Sequence, residues 1–304
     1  MKQEFERAQE QVLRRYGVDA ESRFFEVPAV SGPVHALVSG EGPPLVMIPG
    51  FADPAAMWAP LMGALRGFTL YAVDRPSFGL TGSAPLDTRS FRKLAVDFLE
   101  QVLDALGLER PLVVGSSMGS LWTTWFALEH ADRVPALVHV GCPAFILGTS
   151  APLPMRLISI RPFGRLVMKL SPPSPSGVES FARAMAGEDL SKMPEIRDLL
   201  VEAQRLPGVQ NAIVDLLHTV VRVRGARPEI ALTKEQLAAI RQPVLLIWGE
   251  SDRFGGADVA REAARTIPDC ELHLIAGAGH IPWFAHADEV ADGVQGFWSR
   301  LRSG

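Results

Sequence analysis

The chain has 304 residues, of which 47% are hydrophobic and 21% charged, a balance typical of globular proteins with a large buried core. The formal net charge of −4 provides no broad basic field for a phosphate backbone. This composition argues against a disordered chain and against a nucleic-acid partner.

Two cysteines, Cys142 and Cys270, are too few for a disulfide framework and lack the C-x-x-C spacing of a zinc or redox site. Reduced thiols indicate a cytoplasmic protein. No stretch approaches the ~18 apolar residues of a membrane span. Charges interrupt Lys2–Arg15, which argues against a secretory signal and predicts an amphipathic helix within a helical extension, residues 1–20.

After this helix, short apolar runs alternate with helical patterns, as in βα units that build a mainly parallel sheet. Residues 24–27 and 35–38 alternate in polarity and predict an antiparallel hairpin at the sheet edge. Continuously apolar runs predict buried strands at residues 45–48, 70–73, 112–114, 136–140, 244–248 and 272–275. Helical spacing predicts helices at residues 90–106, 121–128, 257–266 and 289–301.

Residues 144–241 break this rhythm, with several prolines and helical runs such as residues 211–223 but no convincing strand. We interpret them as a helical cap inserted into a core formed by residues 21–143 and 242–304. Such a cap would cover the carboxyl edge of the sheet, where open α/β sheets bind their ligands.

The segment Gly115-Ser116-Ser117-Met118-Gly119 lies between a predicted strand and a predicted helix. That context is typical of a nucleophile elbow, in which small residues on either side of a strained serine let neighbouring backbone approach. Ser117 is therefore the candidate nucleophile. A serine hydroxyl needs a base and an orienting carboxylate to become reactive.

His280 is the candidate base, because it follows the last predicted strand in the flexible loop Gly277-Ala278-Gly279. Asp252 follows the strand at residues 244–248 and is the candidate acid, with Glu250 and Asp258 as alternatives. The six other histidines fit strands, helices or the hairpin and are interpreted as structural. They are His35, His130, His139, His218, His273 and His286.

The order Ser117, Asp252, His280 resembles that of the α/β-hydrolase superfamily from about residue 24 to the C-terminus. The resemblance implies an eight-stranded, mostly parallel sheet flanked by helices, with a helical cap. It also implies that the backbone N–H groups of Phe51 and Met118 form an oxyanion hole. Two positions depart from the family pattern: Pro49 replaces a usual histidine, and Ser77 replaces a usual glycine.

These residues predict acyl transfer on a small to medium, largely apolar ester, thioester or lactone, with no cofactor and no metal. The candidate pocket residues are Phe145, Met155, Ile158, Phe163, Leu166, Met168, Trp283 and Phe284. Two alternatives stay open. Asp252-Arg253-Phe254 and the residues after His286 resemble hydrolases that cleave carbon–carbon bonds of meta-cleavage products, and a hydrolase scaffold can also serve as a non-catalytic binding protein. The sequence leaves the oligomeric state undetermined.

Overall fold

Ten strands occur in the computed structural model, which describes residues 1–303. They are β1 (Ala20–Phe25), β2 (Val34–Ser39), β3 (Pro44–Ile48), β4 (Thr69–Val73), β5 (Leu112–Gly115), β6 (Leu137–Val140), β7 (Val221–Arg222), β8 (Gly225–Ala226), β9 (Val244–Gly249) and β10 (Cys270–Ile275). Eight of them form one sheet in the order β1-β2-β4-β3-β5-β6-β9-β10. Strand β2 is antiparallel to both neighbours, and all other pairs are parallel. The predicted mostly parallel, eight-stranded sheet is confirmed.

The predicted edge hairpin is confirmed by the antiparallel pairing of β1 with β2, which places Phe24 opposite His35. Strand β1 begins at Ala20, earlier than predicted. Its start leaves no apolar pattern in the sequence, because most of its side chains are exposed. The chain order reverses between β3 and β5, so the loops after these two strands diverge and leave a crevice at the carboxyl edge.

Twelve α-helices accompany the strands in residues 1–303. They are α1 (Lys2–Arg15), α2 (Ala59–Ala64), α3 (Phe91–Ala105), α4 (Met118–Glu129), α5 (Leu153–Ile158), α6 (Arg161–Leu170), α7 (Pro175–Phe181), α8 (Pro194–Arg205), α9 (Val209–Val220), α10 (Lys234–Ala238), α11 (Ala257–Thr266) and α12 (Ala287–Ser303). Shorter 3₁₀ turns span Ala55–Trp58, Leu190–Lys192 and Pro282–Phe284, and one π-helical turn spans Ala182–Ala186. None of the helices in the described part of the chain is long and apolar enough to cross a membrane.

Residues 144–241, called here the helical insertion, carry helices α5 to α10 between β6 and β9. The expectation that this segment contains no strand is wrong, because β7 and β8 form a short antiparallel pair within it. The helix predicted at residues 211–223 ends at Val220. Val221 and Val223 are β-branched and favour extended backbone, and Gly225 turns the chain with φ of 136°.

Ser77 explains why glycine is usual at its position, since its φ is 73°, in the left-handed region that non-glycine residues rarely adopt. Its hydroxyl accepts a hydrogen bond from the Ala84 N–H at 3.3 Å. The turn after β4 therefore keeps its conformation in spite of the serine.

Candidate active site

Ser117 lies at the junction of β5 and α4, where its backbone has φ of 50° and ψ of −111°. A non-glycine residue held in this region is strained, and such strain clusters at functional sites. The flanking glycines make the turn possible: a Cβ on Gly119 would lie 2.0 Å from the Ile48 oxygen, and one on Gly115 would lie 2.7 Å from the Ser120 nitrogen. The turn thus depends on both glycines and places Ser117 in a cavity.

Two residues whose backbone N–H groups have no hydrogen-bond partner in the described part of the chain line the same cavity as Ser117. Met118 is the first residue of α4, so its N–H has no partner within the helix, and Phe51 follows the end of β3. Neither N–H donates a hydrogen bond within residues 1–303. Both groups therefore remain available to an oxygen atom bound beside Ser117.

Arg75 fixes the loop that contains Phe51. Its guanidinium is buried and donates hydrogen bonds to the carbonyl oxygens of Pro49, Gly50 and Phe51. In a trans peptide the C=O and the following N–H point in opposite directions. Because the Gly50 oxygen faces Arg75, the Phe51 N–H faces away from it.

Two aromatic rings pack against Arg75: its guanidinium carbon lies 5.5 Å from the ring centre of Phe78 and 5.2 Å from that of Trp122. Burial lowers the pKa of Arg75 to about 10, against the opposing charge of Asp53. The guanidinium therefore stays charged at neutral pH. Arg75 therefore braces this loop, in which Pro49 stands where related sequences usually have histidine.

His280 and Asp252 form a buried pair, with 2.8 Å between His280 Nδ1 and Asp252 Oδ2. Asp252 Oδ2 also accepts the Cys142 N–H at 2.9 Å, and Oδ1 accepts the Phe254 N–H at 2.9 Å. These bonds fix the carboxylate, which in turn orients the imidazole. The alternative acids lie elsewhere: Glu250 is exposed, and Asp258 is fully exposed and pairs with Arg261.

His280 lines the same cavity as Ser117, although no hydrogen bond joins their side chains in residues 1–303. Such bonds often tighten only when substrate binds. The pKa of His280 is raised from its ordinary 6.5. Burial opposes protonation, but the charge and hydrogen bond of Asp252, with smaller contributions from Asp53 and Glu188, outweigh it.

Hydrogen bonds join the helical insertion to both loops that carry this pair. The His280 N–H donates to the Ala186 oxygen at 3.1 Å, and the Ile281 N–H donates to Glu188 Oε1 at 3.0 Å. Arg253 Nη1 donates to the Ala184 oxygen at 2.9 Å. The acceptors lie in or next to the π-helical turn, a rare element that is frequent at functional sites.

The cavity has a volume of ≈ 840 Å³, counting open solvent at its entrance. The insertion contributes its mainly apolar outer wall, with Phe145, Met155, Phe181, Met185, Leu217 and Val220. Among the lining residues, Asp53 is the one carboxylate, and there is no lysine or arginine. Burial raises the pKa of Asp53, against the charges of Arg75 and His280.

Of the predicted pocket residues, the structure places Phe145 and Met155 on the cavity wall. The others lie elsewhere, which corrects the prediction. Trp283 stacks on Trp58 with 4.4 Å between ring centres, and Phe284 packs against Trp283. The insertion residues off the wall are Ile158, Phe163, Leu166 and Met168, of which Phe163 and Leu166 are exposed.

The other histidines have structural surroundings. Burial lowers the pKa of His139 to about 4, so this ring stays neutral next to the Thr124 hydroxyl. His35 is buried against Asp74. No role is predicted from the sequence for Asp53, Arg75 or Glu188. Of these three, Arg75 alone has a signal in the sequence that could have identified it. It is a charged residue that follows Asp74 directly after an apolar strand.

The eight-stranded, mostly parallel sheet flanked by helices is the fold of a class of hydrolases, and the comparison with known families agrees. The profile of the alpha/beta hydrolase family matches residues 45–293. The chain therefore belongs to the alpha/beta hydrolase family, whose members related to this chain include esterases.

Three relatives illustrate the range of similar proteins. A pimeloyl-[acyl-carrier protein] methyl ester esterase of Stenotrophomonas maltophilia is 30% identical over 283 residues, 88% of this chain and 97% of the relative. A 2-hydroxy-6-oxononadienedioate/2-hydroxy-6-oxononatrienedioate hydrolase of a Pseudomonas species is 24% identical over 300 residues, 92% and 97% of the two chains. The crystal structure of a carboxylesterase from Bacillus subtilis has a TM-score of 0.76 at 22% identity and covers 98% of each chain.

Proposed function

We propose that this protein is a serine hydrolase that cleaves small to medium, largely apolar carboxylic esters, thioesters or lactones through an acyl-enzyme. The observation that carries the proposal is the strained Ser117 in one cavity with His280, which Asp252 orients. Strain of this kind presents the hydroxyl to a bound carbonyl.

In the proposed mechanism, Ser117 Oγ attacks the carbonyl carbon while His280 Nε2 takes the hydroxyl proton. The carbonyl oxygen becomes an oxyanion, which the free N–H groups of Phe51 and Met118 stabilise by about 2.7 to 4 kcal/mol each. His280 then gives the proton to the leaving group. Water attacks the acyl-enzyme by the same route in reverse, while Asp252 holds the imidazole tautomer.

The charge of the cavity favours neutral substrates. A dienedioate such as the one named for the Pseudomonas relative carries two carboxylates. The lining has no lysine or arginine to pair with them and places Asp53 close to the oxyanion loop. Unpaired charges in a cavity cost free energy. The lining therefore favours ester cleavage over carbon–carbon cleavage. Carbon–carbon cleavage is the second candidate because the chain is 24% identical to a relative named for it.

A cytoplasmic location is part of the proposal. It is supported by two unpaired cysteines, of which Cys142 is buried, since proteins of oxidising compartments tend to pair their cysteines. Burial, reinforced by the charge of Asp252, raises the pKa of Cys142 well above its ordinary value. This thiol is therefore a neutral wall residue rather than a competing nucleophile.

The test is a hydrolysis panel: p-nitrophenyl esters of increasing acyl length, a 2-hydroxy-6-oxo-dienedioate, and a pair of p-nitrophenyl esters of six-carbon acyl chains, one neutral and one ending in a carboxylate. We expect turnover of the short to medium neutral esters and a kcat/KM at least about tenfold lower for the charged partner. Asp53→Asn should reduce the ratio of kcat/KM for the neutral ester to that for the charged ester, while the variant stays active on the neutral ester.

Turnover of the dienedioate alone would reverse the ranking in favour of carbon–carbon cleavage. A fluorophosphonate probe separates the remaining alternative, since a non-catalytic binding protein would leave Ser117 unlabelled. We expect stoichiometric labelling, mapped to Ser117 by peptide mass spectrometry.

A further inference from the structure

The outer surface of the helical insertion carries most of the exposed large apolar side chains of the protein. Ten such side chains occur in residues 1–303, and seven of them fall within residues 153–181. Six belong to α5, α6 and the short link between them. We call these six the outer apolar face: Leu153, Leu157, Ile160, Phe163, Leu166 and Leu170.

The spacing of these residues places them on common sides of their helices. Phe163, Leu166 and Leu170 stand at positions i, i+3 and i+7 of α6, so they share one side, and they are 46%, 53% and 71% exposed. The opposite side of α6 is buried, since a Cβ on Gly164 would lie 3.0 Å from Val214. A concentration of exposed apolar side chains of this kind marks an interaction site.

The charged residues of the segment that carries this face are all basic. Residues 151–178 contain Arg156, Arg161, Arg165 and Lys169 and no aspartate or glutamate, a net charge of +4. Since the whole chain carries −4, the remainder carries −8. Asp215 on α9 pairs with Arg161 and Arg165, whereas Lys169 is exposed and has no ion pair within residues 1–303.

We propose that the outer apolar face docks on the surface of a bilayer that contains anionic phospholipids. Apolar side chains flanked by lysine and arginine are the arrangement by which helices lie in the interfacial plane, and anionic headgroups complement the positive charge. A second copy of this chain fits less well. A two-fold interface would place each positive surface against its own equivalent, so like charges would repel.

Docking in this orientation would bring the part of the cavity wall that the helical insertion supplies close to the lipid. Helix α5 directs Met155 into the cavity while Leu153 and Leu157 stay exposed. Phe181 is both 45% exposed and part of the cavity wall. An ester dissolved in the bilayer could therefore enter without crossing bulk water. This delivery step rests on the proposed function, whereas docking itself does not.

The test uses the full-length protein and sedimentation with vesicles of phosphatidylcholine alone or with about 30% phosphatidylglycerol. We expect binding to the anionic vesicles and little to the neutral ones. Phe163→Ser should weaken the partition coefficient about tenfold, and Lys169→Gln should weaken it about fivefold on anionic vesicles only. The matched control is Phe24→Ser, because Phe24 is 48% exposed but lies on the edge strand β1.

Hydrolysis of a water-soluble short ester should stay within about twofold of the parent in all three variants, since none of these residues lines the cavity. Docking is overturned if the parent does not sediment with anionic vesicles, or if Phe24→Ser weakens vesicle binding as much as Phe163→Ser does. Sedimentation velocity that shows a dimer dissociated by Phe163→Ser, with no vesicle binding, would assign the face to a second copy. Vesicle binding without ester turnover would contradict the proposed function alone.

Discussion

Two serine-histidine-aspartate clusters occur in residues 1–303, and the one with more hydrogen bonds between its side chains is not the one with the features of an active site. On the edge strand, Ser22 Oγ lies 3.1 Å from His35 Nε2, and His35 Nδ1 lies 2.7 Å from Asp74 Oδ2. In the cavity, His280 contacts Asp252 at 2.8 Å, but Ser117 makes no hydrogen bond to that ring within residues 1–303.

The difference between the clusters lies in the backbone around each serine. Ser22 is an exposed residue inside β1 and is not among the residues with positive φ. Ser117 is held at φ of 50° before a helix, and two residues with N–H groups that are unpartnered among the described residues line its cavity. Hydrogen-bonded residue types alone do not make a nucleophile. The proposed role of Ser117 depends in addition on the strained turn, on the two N–H groups proposed as oxyanion donors and on the enclosed space.

Asp74 shows what the edge-strand cluster does instead. Its Oδ1 accepts the Ala55 N–H at 2.6 Å, and its Oδ2 accepts the Leu80 N–H at 2.8 Å in addition to His35. Both Asp74 and His35 are fully buried. This carboxylate therefore ties two loops to the sheet, and we expect its loss to affect stability rather than catalysis.

The largest expected effect separates the two serines. Ser117→Ala should lower kcat on a p-nitrophenyl ester by about 10⁴-fold or more, because the attacking oxygen is lost. Ser22→Ala should stay within about twofold of the parent, because an exposed hydroxyl outside the cavity takes no part. Both variants should keep the parent's circular dichroism spectrum and melting temperature. Equal losses in the two variants would mean that the edge-strand cluster takes part in the reaction.

The next largest effect separates the two carboxylates, because loss of Asp252 should lower activity whereas loss of Asp74 should lower stability. Asp252→Asn should lower kcat about 10⁴-fold, since the amide favours the wrong imidazole tautomer. Asp74→Asn should instead reduce the free energy of unfolding by about 3 kcal/mol while the folded fraction retains its kcat. Urea denaturation gives the first quantity and active-site-titrated kinetics the second. A folded Asp74→Asn variant whose kcat falls as far as that of Asp252→Asn would contradict the structural role of Asp74.

Local chemistry explains why the core of the site was predictable from the sequence. The nucleophile turn depends on residues within two positions of Ser117, and buried parallel strands are continuously apolar, so both leave signals in short windows. The ends of those strands then place Asp252 and His280 near Ser117 at one edge of the sheet.

The rest of the site depends on contacts between distant parts of the chain. Glu188 meets Ile281 across 93 positions, and Arg75 meets Gly50 across 25, and no local pattern encodes such pairings. The same limit explains why Phe163 and Trp283 were predicted to line the cavity but lie elsewhere. An apolar residue in a cap or loop can face the cavity, the core or solvent, and only the packing decides among these.

The smallest expected effect tests one of those distant contacts through the pH profile. His280 must be neutral to accept a proton, and its pKa is raised in part by the charge of Glu188. Glu188→Gln keeps an oxygen for the Ile281 N–H but removes the charge. The pKa of His280 should fall, so the acid limb of kcat/KM, which reports the base in the free enzyme, should move to lower pH.

The control for this shift is Asp189→Asn, because the neighbouring carboxylate bonds with Arg183 and Ser191 and does not contribute to the pKa of His280. Its acid limb should coincide with that of the parent. At high pH, where His280 is neutral in every variant, the rates should converge. If instead Glu188→Gln lowers the rate equally at all pH values, the role of Glu188 is to position the histidine loop, and its charge contributes nothing to catalysis.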